Sequence, residues 1–260
     1  FHHPSAQLLA AAARWNGLPV LLPVVDEAPA TRLWSWAWAI GPTAEERGKR
    51  LATAMNTGPA DQVATITSTA SDTSFAAGFV TACRVRGATI ATRLNYSPGN
   101  ASFAAEVRTL ISQRVSVLFW DGDPNEAALL LRQLTRDRVS LRICGGDGLD
   151  PARHHRETRV FLEGVMYVSS DWSLSVAAQS ELDRDPAAAG SGPLYVRGWL
   201  AGRVAGAALA TGVYTPAEVA AAIDRLSPDT GSGLRVLGVR GQGAELPVLS
   251  VSDGRALPVQ

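Results

Sequence analysis

The amino-acid sequence predicts an α/β protein of parallel strands joined by helical crossovers, and three observations carry that expectation. The first is the stretch Val63–Tyr96. Val63–Ile66 is a short β-branched run, and Ala76, Phe79, Val80 and Cys83 follow at i, i+3, i+4, i+7 spacing, the signature of a helix with one apolar face. Gly87 can close that helix in a left-handed conformation, and Ala88–Leu94 gives a second strand. A β-α-β unit of this kind builds a parallel sheet. The second observation is that strand-like and helix-like segments go on alternating through residue 144, which argues for a doubly wound sheet. The third is that polar residues recur where strands end, and the carboxyl ends of parallel strands are where ligands bind. The loop Thr67–Ser74, almost all hydroxyls, is the richest of these exits.

In chain order, Ser5 is placed to cap a helix over Ala6–Trp15, with Gly17 just past its end. Pro19–Val25 reads as an apolar strand with Asp26-Glu27 in its exit loop. Leu33–Ile40 alternates, with Trp34, Trp36 and Trp38 on one face as a packing wall. Thr43 and Glu46 form a capping box for Ala44–Asn56. After the Val63–Tyr96 unit, Ser102 is the expected cap of a helix bearing Phe103, Val107, Leu110 and Ile111. Val115–Trp120 is the next strand, with Asp121-Gly122-Asp123 as its exit, then a helix over Glu126–Asp137. Val139–Cys144 is a strand ending in Gly145-Gly146-Asp147-Gly148. Further on come a short strand at Gly164–Val168 and an Ala/Gly-rich helix over Leu194–Leu209 suited to close packing. Thr215-Pro216-Ala217-Glu218 opens a helix ending near Arg225. Leu234–Val239 and Pro247–Val251 are the last two strands, and Asp253-Gly254 is a turn into the tail.

Composition removes several classes of function. Apolar residues make up 46% of the chain, which places it among folded globular proteins rather than disordered ones. The 24 basic and 24 acidic residues cancel, so neither nucleic acid nor an anionic membrane surface is the expected partner. No apolar run approaches the length of a membrane span. The chain opens on Phe1-His2-His3-Pro4, from which a processed or trimmed start is expected. Cys83 and Cys144 have no metal-ligand spacing and read as two buried free thiols.

Catalytic signatures are missing. No phosphate-cradling loop occurs, and Gly241-Gln242-Gly243 lacks the third glycine of a dinucleotide fingerprint. Gly231-Ser232-Gly233 reads as a loop rather than a nucleophile elbow. His154 and His155 are adjacent rather than at i, i+4, so they read as a solvated polar pair and not as metal ligands. No cofactor and no metal are expected. Each polar exit loop is explained singly by helix capping. Taken together, the loops also suit a cleft of hydrogen-bonding groups for a small polar solute, and a wall of donors without a nucleophile–base pair points to binding rather than turnover.

The ordered series of segments resembles the type I periplasmic solute-binding proteins, closest to the Leu/Ile/Val-binding branch that serves amino-acid ABC importers. It is carried by PSAQLLAAAARWNGLPVLLP, WSWAWAIGPTAEERGKRLA, the run QVATITSTASDTSFAAGFVTACRVRGATIATRLNYSPGNASFAAEVRTLISQRVSVLFW and the ending GLRVLGVRGQGAELPVLSVSDGRALPV. The resemblance implies a two-lobed α/β fold, each lobe a mostly parallel sheet flanked by helices, closing on a ligand by hinge motion. Lobe 1 would hold about 1–41 and 172–233 and lobe 2 about 42–171 and 234–260, with lobe 1 lacking its first strands. Family members that bind amino acids use a Ser, a small hydroxyl residue, a Tyr and an acidic residue. Ser5 matches the first, Asp26 stands where the hydroxyl is usual, and Asp147 is the acidic candidate. Around Ser71, the aromatic is replaced by Asp72-Thr73. The implied ligand set is therefore Ser5, Asp26, Ser71, Asp72, Thr73 and Asp147, and a plain aliphatic amino acid fits it poorly.

The expected function is capture of a small polar, amino-acid-like ligand for ABC-type import, with an ABC permease as partner. The expected location is periplasmic or extracellular, with a lipid anchor on a segment outside this chain as one arrangement. A degenerate regulatory or protein-interaction module is the alternative. An α/β enzyme is a third and weaker reading.

Overall fold

A computed structural model of the chain describes residues 4–22, 35–39, 44–71, 73–169, 184, 193–212, 215–225 and 248–259. The chain divides into two compact units, one of residues 1–44 and 171–246 and the other of 45–170 and 247–260.

The second unit holds a seven-stranded sheet. Its strands are β3 (Gln62–Ser68), β4 (Thr89–Tyr96), β5 (Val117–Asp121), β6 (Arg142–Gly145), β7 (Met166–Val168), β8 (Val248–Ser252) and β9 (Arg255–Pro258). They lie in the order β4-β3-β5-β6-β7-β8-β9, and every pairing from β4 to β7 is parallel. β8 and β9 add an antiparallel edge. β3, first in sequence, sits between β4 and β5, so the strand order reverses there and creates a topological switch point. The helices are α2 (Ala44–Ala54), α3 (Thr73–Val85), α4 (Ala104–Ser112) and α5 (Pro124–Arg136).

Strand β5 shows why the sheet is covered on both faces. Leu118 and Trp120 join Phe103, Val107 and Leu110 near and on α4 and Leu130, Leu131 and Leu134 of α5 in one cluster. Phe119 points the other way, stacked on Phe79 and edge-on to Phe75, both on α3. All four residues Val117–Trp120 are fully buried, the continuous apolar run expected of a parallel strand. Gly87, with φ +85°, ends the α3 region as its sequence position predicts.

The α2–α3 contact rests on two glycines. A Cβ on Gly78 would come within 2.1 Å of the Glu45 carbonyl oxygen, and one on Gly48 within 2.2 Å of the Phe75 carbonyl oxygen. Each helix therefore meets the backbone of the other, and neither position has room for a side chain.

The first unit contains α1 (Pro4–Trp15), β1 (Val20–Leu22), β2 (Ala37–Ala39), α6 (Pro193–Leu209) and α7 (Pro216–Arg225), with β1 and β2 parallel. Buried Trp38 packs with Val204, Ala208, Ala220 and Ile223, Trp36 packs against the same cluster, and the Trp38 indole donates to Asp224 at 3.0 Å. The tryptophans of this strand thus act as packing wall, apart from Trp34, which lies outside the described residues. The Thr215–Glu218 capping box forms, with Glu218 N–H donating to Thr215 Oγ1 and Thr215 N–H to Glu218 Oε2.

Several expectations are corrected. α1 begins at Pro4, so Ser5 is inside the helix and not its cap. Phe103, not Ser102, occupies the N-cap position of α4, while Ser102 Oγ accepts from Ala104 N–H at 3.3 Å. The tail beyond Asp253-Gly254 forms β9, an exposed edge strand. Gly198, Gly202 and Gly206 of α6 face open space among the described residues, while its Ala208 is buried and Ala201 packs against the core, so the close packing is made by the alanines and not the glycines. His154 is buried rather than solvated. The expected strand Leu234–Val239 lies outside the described residues. Cys83 and Cys144 are buried free thiols, and burial first of all raises the pKa of each.

At the amino edge of the sheet, Asp61 accepts from Ser116 Oγ at 3.0 Å and Gly58 N–H at 2.9 Å and pairs with Arg142. Arg142 also donates to the Met55 carbonyl at 2.8 Å. Burial alone would raise the Asp61 pKa, but these hydrogen bonds and the Arg142 charge outweigh it and hold the carboxyl below its ordinary value of 3.8. A depressed native pKa gives stability that is present above the unfolded value and lost as pH falls through the native one. Wild type is therefore expected to exceed Asp61→Asn in urea midpoint at neutral pH, with the gap shrinking as pH drops below 3.8. A constant gap across that range would contradict this assignment.

Candidate functional site

Three loops leave the carboxyl ends of β3, β4 and β5 around the switch point, and each is tied to its neighbours by polar contacts. Thr67 Oγ1, near the end of β3, donates to Asn95 Oδ1 at 2.7 Å. Thr69 N–H donates to the Tyr96 carbonyl at 2.8 Å. Ser68 Oγ accepts from Ala70 N–H at 3.2 Å, and Ser71 Oγ donates to the Asp121 carbonyl at 3.5 Å. The hydroxyl-rich exit is thus anchored on both flanks.

Glu126 lines the site, and buried Tyr96 holds it in place. The Tyr96 ring lies stacked on Trp120, with centroids 5.0 Å apart, and edge-on to Phe103. Its hydroxyl donates to Glu126 Oε2 at 2.7 Å, while Gly99 N–H donates to Glu126 Oε1 at 2.6 Å. Glu126 is only 7% exposed, so these two donors are what make its burial tolerable. Burial first, and then the Glu126 carboxylate, push the Tyr96 phenol well above its ordinary pKa, keeping it a donor. A Cβ on Gly122 would fall 1.8 Å from the Tyr96 hydroxyl, so glycine at that position is what lets the hydroxyl reach Glu126. Asp123 caps α5 by accepting from Asn125 N–H at 2.8 Å.

The exit of β6 closes against that of β5 through further glycines. A Cβ at Gly145 would come within 2.0 Å of the Trp120 carbonyl oxygen, and one at Gly148 within 2.1 Å of the Gly122 carbonyl oxygen. The His154 ring holds this turn from behind through Nε2, 2.8 Å from the Gly148 carbonyl. Asp147, at its start, lies 4.0 Å from the Arg47 guanidinium, and that guanidinium sits 5.0 Å over the Phe75 ring. Cation, carboxylate and aromatic thus meet at one edge.

An open cavity of about 680 Å³ lies between the exits of β3, β4 and β5. Ser68, Ser71, Asn100, Asp123, Asn125 and Glu126 supply its polar wall, and Pro98, Ala101 and Leu129 its apolar part. Its volume is in the range of small-molecule sites, roughly 300–1,000 Å³.

Of the residues expected from sequence to hold a ligand, Ser71 and Asp147 lie on this carboxyl edge, on opposite sides of the β5 exit. Thr73 is the first residue of α3 and is exposed. Ser5 lies in α1 of the other unit. Asp26 and Asp72 fall outside the described residues. Sequence reasoning missed Arg47, Tyr96 and Glu126. Glu126 reads as an ordinary first-turn acid, and only its contacts reveal it as a buried anchor.

No protein-family profile matches the sequence, and no curated protein sequence does. Comparison with solved structures shows the fold, which is that of the type I periplasmic binding proteins. A putative branched-chain amino acid ABC transporter protein from Rhodospirillum rubrum superposes with a TM-score of 0.76 at 18% identity, over 98% of this chain and 84% of that one. The leucine-binding protein LivK from Thermotoga maritima gives 0.72 at 18% identity, over 97% and 75%. A solute-binding protein from R. palustris, solved with benzoate, gives 0.71 at 15% identity, over 98% and 73%.

Proposed function

We propose that the chain is an extracytoplasmic solute-binding protein that captures a small polar, amino-acid-like ligand for ABC-type import. The observation that carries this reading is the carboxyl edge of the seven-stranded sheet. There Ser71, Asp147 with Arg47, and a cavity with two carboxylates on its wall gather at a switch point, in a fold whose neighbours were solved with isoleucine, valine or benzoate. The two compact units serve as the two lobes. Asp147 receives a ligand ammonium and Ser71 with Thr73 a carboxylate, near the N-terminus of α3 where an anion is favoured. Ser5, Asp26 and Asp72 complete the set. The role is binding, because the described residues of this edge offer hydrogen-bonding groups and an ion pair. The partner in import is an ABC permease. No helix among the described residues is long and apolar enough to cross a membrane.

Thermal unfolding against a panel of amino acids and small carboxylates tests the reading. A cognate solute at a hundredfold excess over Kd is expected to stabilise the chain by about 2.7 kcal/mol. A flat panel, with no small molecule carried by the purified protein in mass spectrometry, would overturn it and favour the regulatory alternative.

A further inference from the structure

The described residues that line the cavity between the exits of β3, β4 and β5 all belong to the second unit, and they set two carboxylates in a wall whose surface is mostly apolar. Its polar wall consists of two serines, two asparagines and two carboxylates, and none of the described lining residues is Lys, Arg or His. The glutamate is held rigidly in place, because Tyr96 and Gly99 each direct a hydrogen bond to one of its oxygens. Each carboxylate oxygen can accept more than one hydrogen bond, so both retain accepting capacity. Asp123 is exposed, with Oδ1 engaged by Asn125 N–H.

Three kinds of solute end can be compared. An alkyl end suits the apolar surface but offers Asp123 and Glu126 no hydrogen bond in place of the water it displaces, which costs affinity. A carboxylate end would meet two like charges, with no Lys, Arg or His among the described lining residues to offset them. An ammonium end meets acceptors of opposite charge and can donate three hydrogen bonds, which are the stronger charge-assisted kind. The apolar part, Pro98, Ala101 and Leu129, suits the methylene stem behind such a head.

We propose that this cavity receives a cationic amine at the distal end of the solute, with Asp123 and Glu126 as the residues that select it. The proposal rests on the solute-binding reading and narrows it from amino-acid-like ligands to those with a second, distal amine.

The test compares three amino acids of similar reach by isothermal titration calorimetry on the full chain: L-lysine, L-norleucine and L-2-aminoadipate, ending in ammonium, methyl and carboxylate. Lysine is expected to bind at least about tenfold tighter than either of the others. Asp123→Asn, which keeps a good helix cap, and Glu126→Gln are each expected to shrink that ratio severalfold. Asp123→Asn keeps the test decisive if Glu126→Gln does not fold. Norleucine or aminoadipate binding as tightly as lysine, or an unchanged ratio in Asp123→Asn, would overturn the assignment of this cavity while leaving solute binding intact. No binding of any of the three would overturn the amino-acid-like reading and this inference with it.

Discussion

Trp120→Ala is expected to lower the unfolding free energy by about 3–5 kcal/mol, the range for removing a large buried aromatic. The side chain is fully buried, and its loss exposes one face of Tyr96 and the edge contact of Phe103 together. Tyr96 carries one of the two hydrogen bonds to Glu126, so the hold on this lining residue loosens with the core. Urea unfolding measures the first effect, and loss of solute affinity at temperatures where the variant is still folded measures the second. Trp120→Phe is the informative companion. The indole Nε1 is a buried donor without a hydrogen-bond partner among the described residues. Phenylalanine therefore gives up no hydrogen bond there and should retain most of the stability. Similar losses for the two variants would contradict this account of the packing.

Gly78→Ala carries the second large effect, and its sign separates packing from propensity. In an exposed helix interior, alanine in place of glycine is worth roughly 0.8–1 kcal/mol in favour of the variant. At Gly78 the new Cβ would stand 2.1 Å from the Glu45 carbonyl oxygen, and a backbone atom cannot swing aside as a side-chain tip can. The expected result is destabilisation of about 1–3 kcal/mol, with Gly78→Val worse. Gly198→Ala on α6, where open space surrounds the site, is the matched control and should stabilise slightly. Equal effects at the two glycines would mean that α2 and α3 do not cross as described.

The fold was legible where local pattern and burial agree. Val63–Ile66 and the 76, 79, 80, 83 spacing yield β3 and α3 because a central parallel strand and its covering helix are buried enough to be apolar in a regular way. β9 was not legible, because Arg255–Pro258 is an exposed edge strand with no apolar face to advertise it. The glycines misled in both directions. Gly48 and Gly78 look like helix weaknesses and are crossing points, while Gly198, Gly202 and Gly206 of α6 look like a crossing and face open space among the described residues. Such contacts are tertiary, and no local pattern announces them.

Within the candidate site, Ser71 and Asp147 were legible because polar residues at strand exits have a topological meaning. Glu126 and Tyr96 were not, since their pairing joins a strand end to a helix 30 residues away. Arg47 lies far in sequence from Asp147, and nothing local links them. His154, read as a surface residue beside His155, is turned inward by its hydrogen bond to the Gly148 carbonyl.

Amide chemical-shift mapping of the isotope-labelled chain during titration with the solute that most stabilises it bears most directly on the proposed site. Saturable shifts within the second unit are expected to concentrate at residues 68–73, 97–101, 121–126 and 145–149, with the amino edge around Asp61 and Arg142 unmoved. Saturable binding whose shifts spare those four segments, or gather at the amino edge instead, would contradict the assignment of the ligand to the carboxyl edge of the sheet.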